Sequence, residues 1–99
     1  MSYYAIVNHT VEDPERYGQD YIPGAMEIIA KHGGEVAAAA EAASIEGTPP
    51  GPVVVILKFP SEEAFNGFYN DPDYQPLKEL RRNSLTSGGS MVGTPSFGA

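Results

Sequence analysis

A chain of 99 residues can bury one modest core but not two. Its 13 acidic against 6 basic side chains give a formal charge of −7, which repels phosphate backbones and anionic membrane surfaces and speaks against nucleic-acid binding. No cysteine is present, so disulfides and thiolate metal sites are excluded. The opening "MSYYAIVN" has no basic n-region, and the longest apolar run, residues 53–57, is too short to span a bilayer. The expectation is one cytoplasmic, bacterial-style domain with no membrane contact.

The stretch 3–11, "YYAIVNHTV", is rich in aromatic and β-branched residues and predicts a first strand. Asp13 and Pro14 then read as N-cap and first helical residue. Tyr17, Tyr21, Ala25, Ile28 and His32 recur at spacings of three or four, one face of a helix. Pro23 and Gly24 predict a kink within it, and Gly33 ends it.

Residues 37–43 are alanine at every position but Glu41. Alanine is the best helix former, yet a strand over 34–45 is the better reading. Only a strand there gives the run 53–59 an antiparallel partner, joined to it across "EGTPPGP". In that second clear strand Val53, Val55 and Leu57 face one way and Val54 and Ile56 the other. A strand apolar on both faces must be covered on both. Helices in a domain of this size cover one face, so the other predicts pairing with a second copy.

Ser61 reads as the N-cap of a further helix, with Glu62 and Glu63 in its first turn and Ala64, Phe65, Phe68 and Tyr69 as its buried stripe. Asn70-Asp71-Pro72 breaks it, and a second segment over 72–83 buries Tyr74, Leu77 and Leu80. Lys78, Arg81 and Arg82 form the single basic cluster. From about residue 84 the chain, rich in glycine and serine, predicts a loose tail with at most a short strand at Met91-Val92. The order is α+β of the ferredoxin-like β-α-β-β-α-β plan, one domain over 1–99.

The segments "YAIVNHTVEDPERYGQDY", "KHGG" and "VVVILKFPSEEAFNGFYNDPDYQPLKELR" resemble the domain-of-unknown-function 1330 family of the dimeric α+β-barrel superfamily. The resemblance implies a ferredoxin-like protomer paired sheet to sheet, with a pocket between sheet and helices. It also marks a departure. Where the family carries a bulkier strand with an arginine, this chain reads "EVAAAAEAAS". Small side chains there leave volume, and the missing guanidinium removes an anion clamp. Two readings follow: a pocket widened for a larger, less acidic ligand, or alanines that let a helix or the partner chain approach closely.

His32 is the sharpest candidate, because imidazole can take and return a proton near neutrality. Its bland role is to stabilise a helix C-terminus. Asn8 and His9 point to opposite faces of the first strand, and Asn8, in phase with Tyr4 and Ile6, is taken as the pocket group. Tyr21 and Asn8 would orient a substrate and Arg81 would stabilise an oxyanion. Tyr17, Tyr69, Ala38 and Ala40 would line the pocket. No motif for a metal, a nucleotide or a serine nucleophile is present. By superfamily analogy the expected function is cofactor-independent proton-transfer chemistry, such as cyclisation, isomerisation or oxygenation, on a hydrophobic, polyketide-like metabolite. The alternative is a non-catalytic small-molecule-binding module; haem binding through His32 finds no support in the pattern.

Overall fold

The computed structural model describes residues 1–98. Strand β1 (Tyr3–Val11) is followed by a short helix α1 (Pro14–Arg16), a π-helical turn (Tyr17–Tyr21) and helix α2 (Ile22–Lys31). Asp13 caps α1, its carboxylate accepting from the Arg16 amide at 3.1 Å. The expected kink takes the form of the π-turn, in which the Ile22 amide reaches back to the Tyr17 carbonyl. Pro23, in the first turn of α2, has no amide to continue the ladder, so the irregularity falls just before it. Gly33, at φ 77°, turns the chain out of α2.

The alanine run is strand β2 (Glu35–Glu41), and it pairs antiparallel with β3 (Val53–Phe59). Ladder hydrogen bonds from β3 override alanine's helical preference. The register shifts between Val36 and Ala38, so Ala37 drops out of the ladder and the side-chain phase changes from there on. Ser61 caps α3 (Glu62–Tyr69) by accepting from the Ala64 amide at 3.1 Å. Helix α4 (Gln75–Leu80) and a second π-turn (Arg81–Leu85) lead into β4 (Thr86–Pro95).

That last strand corrects the expectation of a loose tail. Serine and glycine have little strand preference of their own, but β1 offers a full row of unpaired backbone groups, and β4 takes them from Tyr3 to Val11. The sheet order is β2-β3-β1-β4, antiparallel throughout, which is the ferredoxin-like arrangement.

The helices lie on one face of this sheet. Phe59, Phe68 and Tyr74 are almost wholly buried there, with the rings of Phe68 and Tyr74 4.4 Å apart between centroids. Beneath them lie Ala5, Val7 and His9 of β1. The other face of the sheet carries Tyr4 and Ile6 opposite Lys58 and Ile56, with Val92 beside them at 55% exposure. No element of the described residues covers it.

At the far end of α2 the chain is tied to the α3–α4 turn. His32 Nε2 donates to Asp71 Oδ2 at 2.8 Å and Lys31 Nζ to the same oxygen at 2.9 Å, while Asp71 Oδ1 accepts from the Asp73 amide. These contacts, the His32 bond first, hold the Asp71 carboxyl far below the usual carboxylate range. The native state therefore binds this proton less readily than the unfolded chain, and the contribution to stability is present above 3.8 and is lost as pH falls toward the native value. Asp71→Asn is expected to lower the melting temperature at neutral pH, with the gap from wild type closing as the acid titration proceeds below 3.8.

Where β1 meets β4, Gly88 and Gly89 both have positive φ, 60° and 79°, and put one extra residue opposite His9. A Cβ on Gly89 would collide with the Asn8 carbonyl and with the His9 Cα and Cβ. Gly89→Ala is expected to cost about 1–3 kcal/mol in urea denaturation, for the left-handed backbone alone, before any collision is counted.

Candidate functional site

A cavity of about 370 Å³ opens between the inner face of the sheet and the helices. Its floor is Val7 and His9 of β1 with Val53, Val55 and Leu57 of β3. One wall is β2, through Val36, Ala39 and Ala40, and the other comes from Tyr17, Tyr21, Ala25 and Ile29. Ala25 on α2 and Ala39 on β2, small residues in the lining, leave part of this volume open. The mouth lies between those elements, where Ile22 and Met26 are partly exposed and Glu41 supplies a carboxylate.

Most of the lining is apolar, and its few polar groups gather at one end. His9 is 3% exposed, and neither ring nitrogen has a hydrogen-bond partner. Its ring stands edge-on to Tyr17 at 5.9 Å, and Tyr17 stacks on Tyr21 at 5.2 Å. The Tyr21 hydroxyl shares a 2.6 Å hydrogen bond with that of Tyr74. Arg81, leaving α4, closes the group; it is 9% exposed and its Nε also lacks a partner.

Burial, and secondarily the Arg81 cation, lower the His9 pKa from 6.5, so at neutral pH the imidazole is an uncharged base. Burial raises the Tyr17 and Tyr21 phenols, and in Tyr21 the adjacent Tyr74 adds to the effect. Both phenols therefore stay protonated and available as donors, and in the Tyr21–Tyr74 pair either hydroxyl can donate. An uncharged base, phenolic donors and a buried cation beside an apolar space can move a proton from carbon and hold the charge left on oxygen.

Four of the residues expected from sequence line this cavity: Tyr17, Tyr21, Arg81 and Ala40. Others lie elsewhere. His32 is at the opposite end of α2, about 16 Å along the axis from Tyr21, bonded to Asp71 and packed beside Gly67. The helix runs back along β1, so its last turn lies over the start of that strand, whereas His9 is near the strand's end.

Asn8 is on the outer face, where its Nδ2 donates to the carbonyls of Gly51 at 2.7 Å and Val53 at 2.9 Å and ties down the β2–β3 loop. The choice of Asn8 over His9 is thereby reversed: the odd-numbered residues of β1 go under the helices. Ala38 does not line the cavity, because the bulge at Ala37 hands its inward place to Ala39. Tyr69 belongs to a neighbouring chamber. His9, Tyr74 and Ala39, which were not chosen from the sequence, also line the cavity. For His9 the signal was alternation with Ala5 and Val7, masked because Tyr4 and Ile6 make the other face just as apolar.

Two solved structures share the fold. The crystal structure of RPA0582, a protein of unknown function from Rhodopseudomonas palustris, superposes with a TM-score of 0.68 at 16% identity, covering 99% of this chain and 84% of that one. The methylated form of RPA0582 gives 0.70 at 15% identity with the same coverage. No curated protein matches the chain. No helix among the described residues is long and apolar enough to cross a membrane. The model of the DUF1330 family, a domain of unknown function, matches residues 2–93, and the chain belongs to that family.

Proposed function

We propose that this protein is a cofactor-independent enzyme that moves a proton on a hydrophobic metabolite in the cytoplasm, with His9 as the base. The observation that carries the reading is the His9 ring, buried in the cavity wall with both nitrogens unpartnered. A buried polar group without a partner costs about 1–3 kcal/mol. A bound substrate offering a polarised C–H or O–H would supply that partner. In the reaction the neutral imidazole accepts the proton, Arg81 faces the oxygen on which negative charge develops, and the Tyr17 and Tyr21 rings orient the apolar body. The imidazolium then returns the proton at a different atom, which is an isomerisation or, where a new C–C bond has closed, a cyclisation.

We further propose that two copies pair through the outer face of the sheet. Supporting this are the apolar side chains of Ile6, Val54 and Ile56 on the face that the protomer's own helices leave uncovered. Light scattering is expected to give twice the protomer mass, and Ile56→Asp to give the protomer mass together with a lower melting temperature.

The catalytic reading is tested with the compound that co-purifies with the protein. His9→Gln keeps a donor and an acceptor but cannot titrate, and is expected to reduce turnover about 10²–10⁴-fold while binding changes only a few fold. In the wild type, kcat/KM should fall on the acid side with an apparent pKa below 6.5, and this limb should vanish in His9→Gln. Tight binding by the wild type with no conversion would instead mean a non-catalytic binding module.

A further inference from the structure

Beside the apolar cavity lies a second chamber of about 420 Å³ with a different character. It is lined by Tyr69, Arg82, Ser87 and Ser90 and by the Gly88-Gly89 bulge, and it shares Val7, His9, Arg81 and Met91 with the first. The two spaces share His9 and Arg81, the two buried side chains with unpartnered nitrogens: both of the imidazole and the Nε of the guanidinium, which otherwise faces Tyr74.

Of the chain's 6 basic residues, Arg16 is paired with Asp20 and Lys31 with Asp71. Although acidic residues outnumber basic ones 13 to 6, the other four, Lys58, Lys78, Arg81 and Arg82, make no ion pair with a described carboxylate, and of these Arg81 alone is buried. Lys78 stands nearby, its ammonium 4.3 Å from the centroid of Tyr69. The carboxylate closest in the hydrogen-bond network is Glu12, which accepts from the Ser87 hydroxyl. A guanidinium left buried without an anion is costly, and a ligand carboxylate is the group whose geometry its planar fork matches.

We infer that the substrate is an apolar carboxylate, its body in the first cavity and its charged head in the second chamber against Arg81 and Arg82. This rests on the first cavity being a small-molecule site, and it reverses the expectation of a less acidic ligand. The anion clamp absent from β2 is supplied from the opposite wall, where α4 runs into β4. His9 then stands where head and body join, so the proton it takes comes from a carbon close to the carboxylate.

Octanoate and octan-1-ol, the same chain with and without the charge, separate the two ideas when each is titrated into ¹⁵N-labelled protein and followed by NMR. Both should shift the amides of Met26, Ala39 and Ala40, and only octanoate those of Gly88, Gly89 and Ser90. Arg82, being exposed, can be replaced without loss of fold. Arg82→Gln should weaken octanoate about tenfold and leave octan-1-ol within twofold. If the two ligands shift the same amides with equal affinity, the head chamber is refuted and the cavity reading stands. If neither shifts an amide of the first cavity, both are refuted. An octanoate preference that survives both Arg82→Gln and Arg81→Gln also overturns the assignment.

Discussion

The site depends on the alternation of side chains along β1. This strand is central, with β3 on one edge and β4 on the other, so its backbone groups are satisfied on both sides. Once those ladders are in register, Ala5, Val7 and His9 lie beneath the helices and Tyr4, Ile6 and Asn8 on the bare face. A slip of one residue would exchange the two sets and bring Asn8 under the helices in place of His9. The Gly88-Gly89 bulge pins the register at the point where it matters, because only glycine fits against the His9 backbone there.

The molecule divides its polar chemistry between two ends of the helical layer. At one end His32, Lys31 and Asp71 bond to one another and join α2 to the α3–α4 turn. Their charges satisfy each other and offer nothing to a ligand. At the other end His9 and Arg81 are buried with nitrogens to spare. The first arrangement stabilises the fold and the second weakens it. Buried polar groups are nearly always hydrogen-bonded, so the spare nitrogens of His9 and Arg81 set this end of the layer apart from the rest of the core.

The small residues of β2 and α2 belong to the same division. Around Phe59, Phe68 and Tyr74 the aromatic rings fill the space between sheet and helices. Toward the other end Ala25 and Ala39 do not, and the gap remains open. Larger side chains would bury more apolar surface and stabilise the protomer, at the expense of the cavity. The alanines hold the cavity open next to the unpaired imidazole, which makes this end of the layer fit to receive a ligand.

Much of the architecture was legible in the residues. The caps at Asp13 and Ser61, the β-branched run of β3 and the turn-rich loop before it are local signals, and local backbone preferences carry them directly. The alanine strand was legible only through the plan as a whole, since its own propensity points to a helix. Strand β4 was not legible, because glycine and serine acquire strand structure only from the partner that β1 provides. Of the residues chosen from sequence, Tyr17, Tyr21 and Arg81 line the cavity, whereas His32 lies at the other end of α2. Periodicity says which residues share a face; it does not say which end of a helix lies over which end of a strand. The antiparallel return of α2 across β1 decides that, and so brings His9 to Tyr17 and carries His32 away. The bulges at Ala37 and at Gly88-Gly89 likewise change side-chain phase through pairing between strands, which no single stretch of sequence contains.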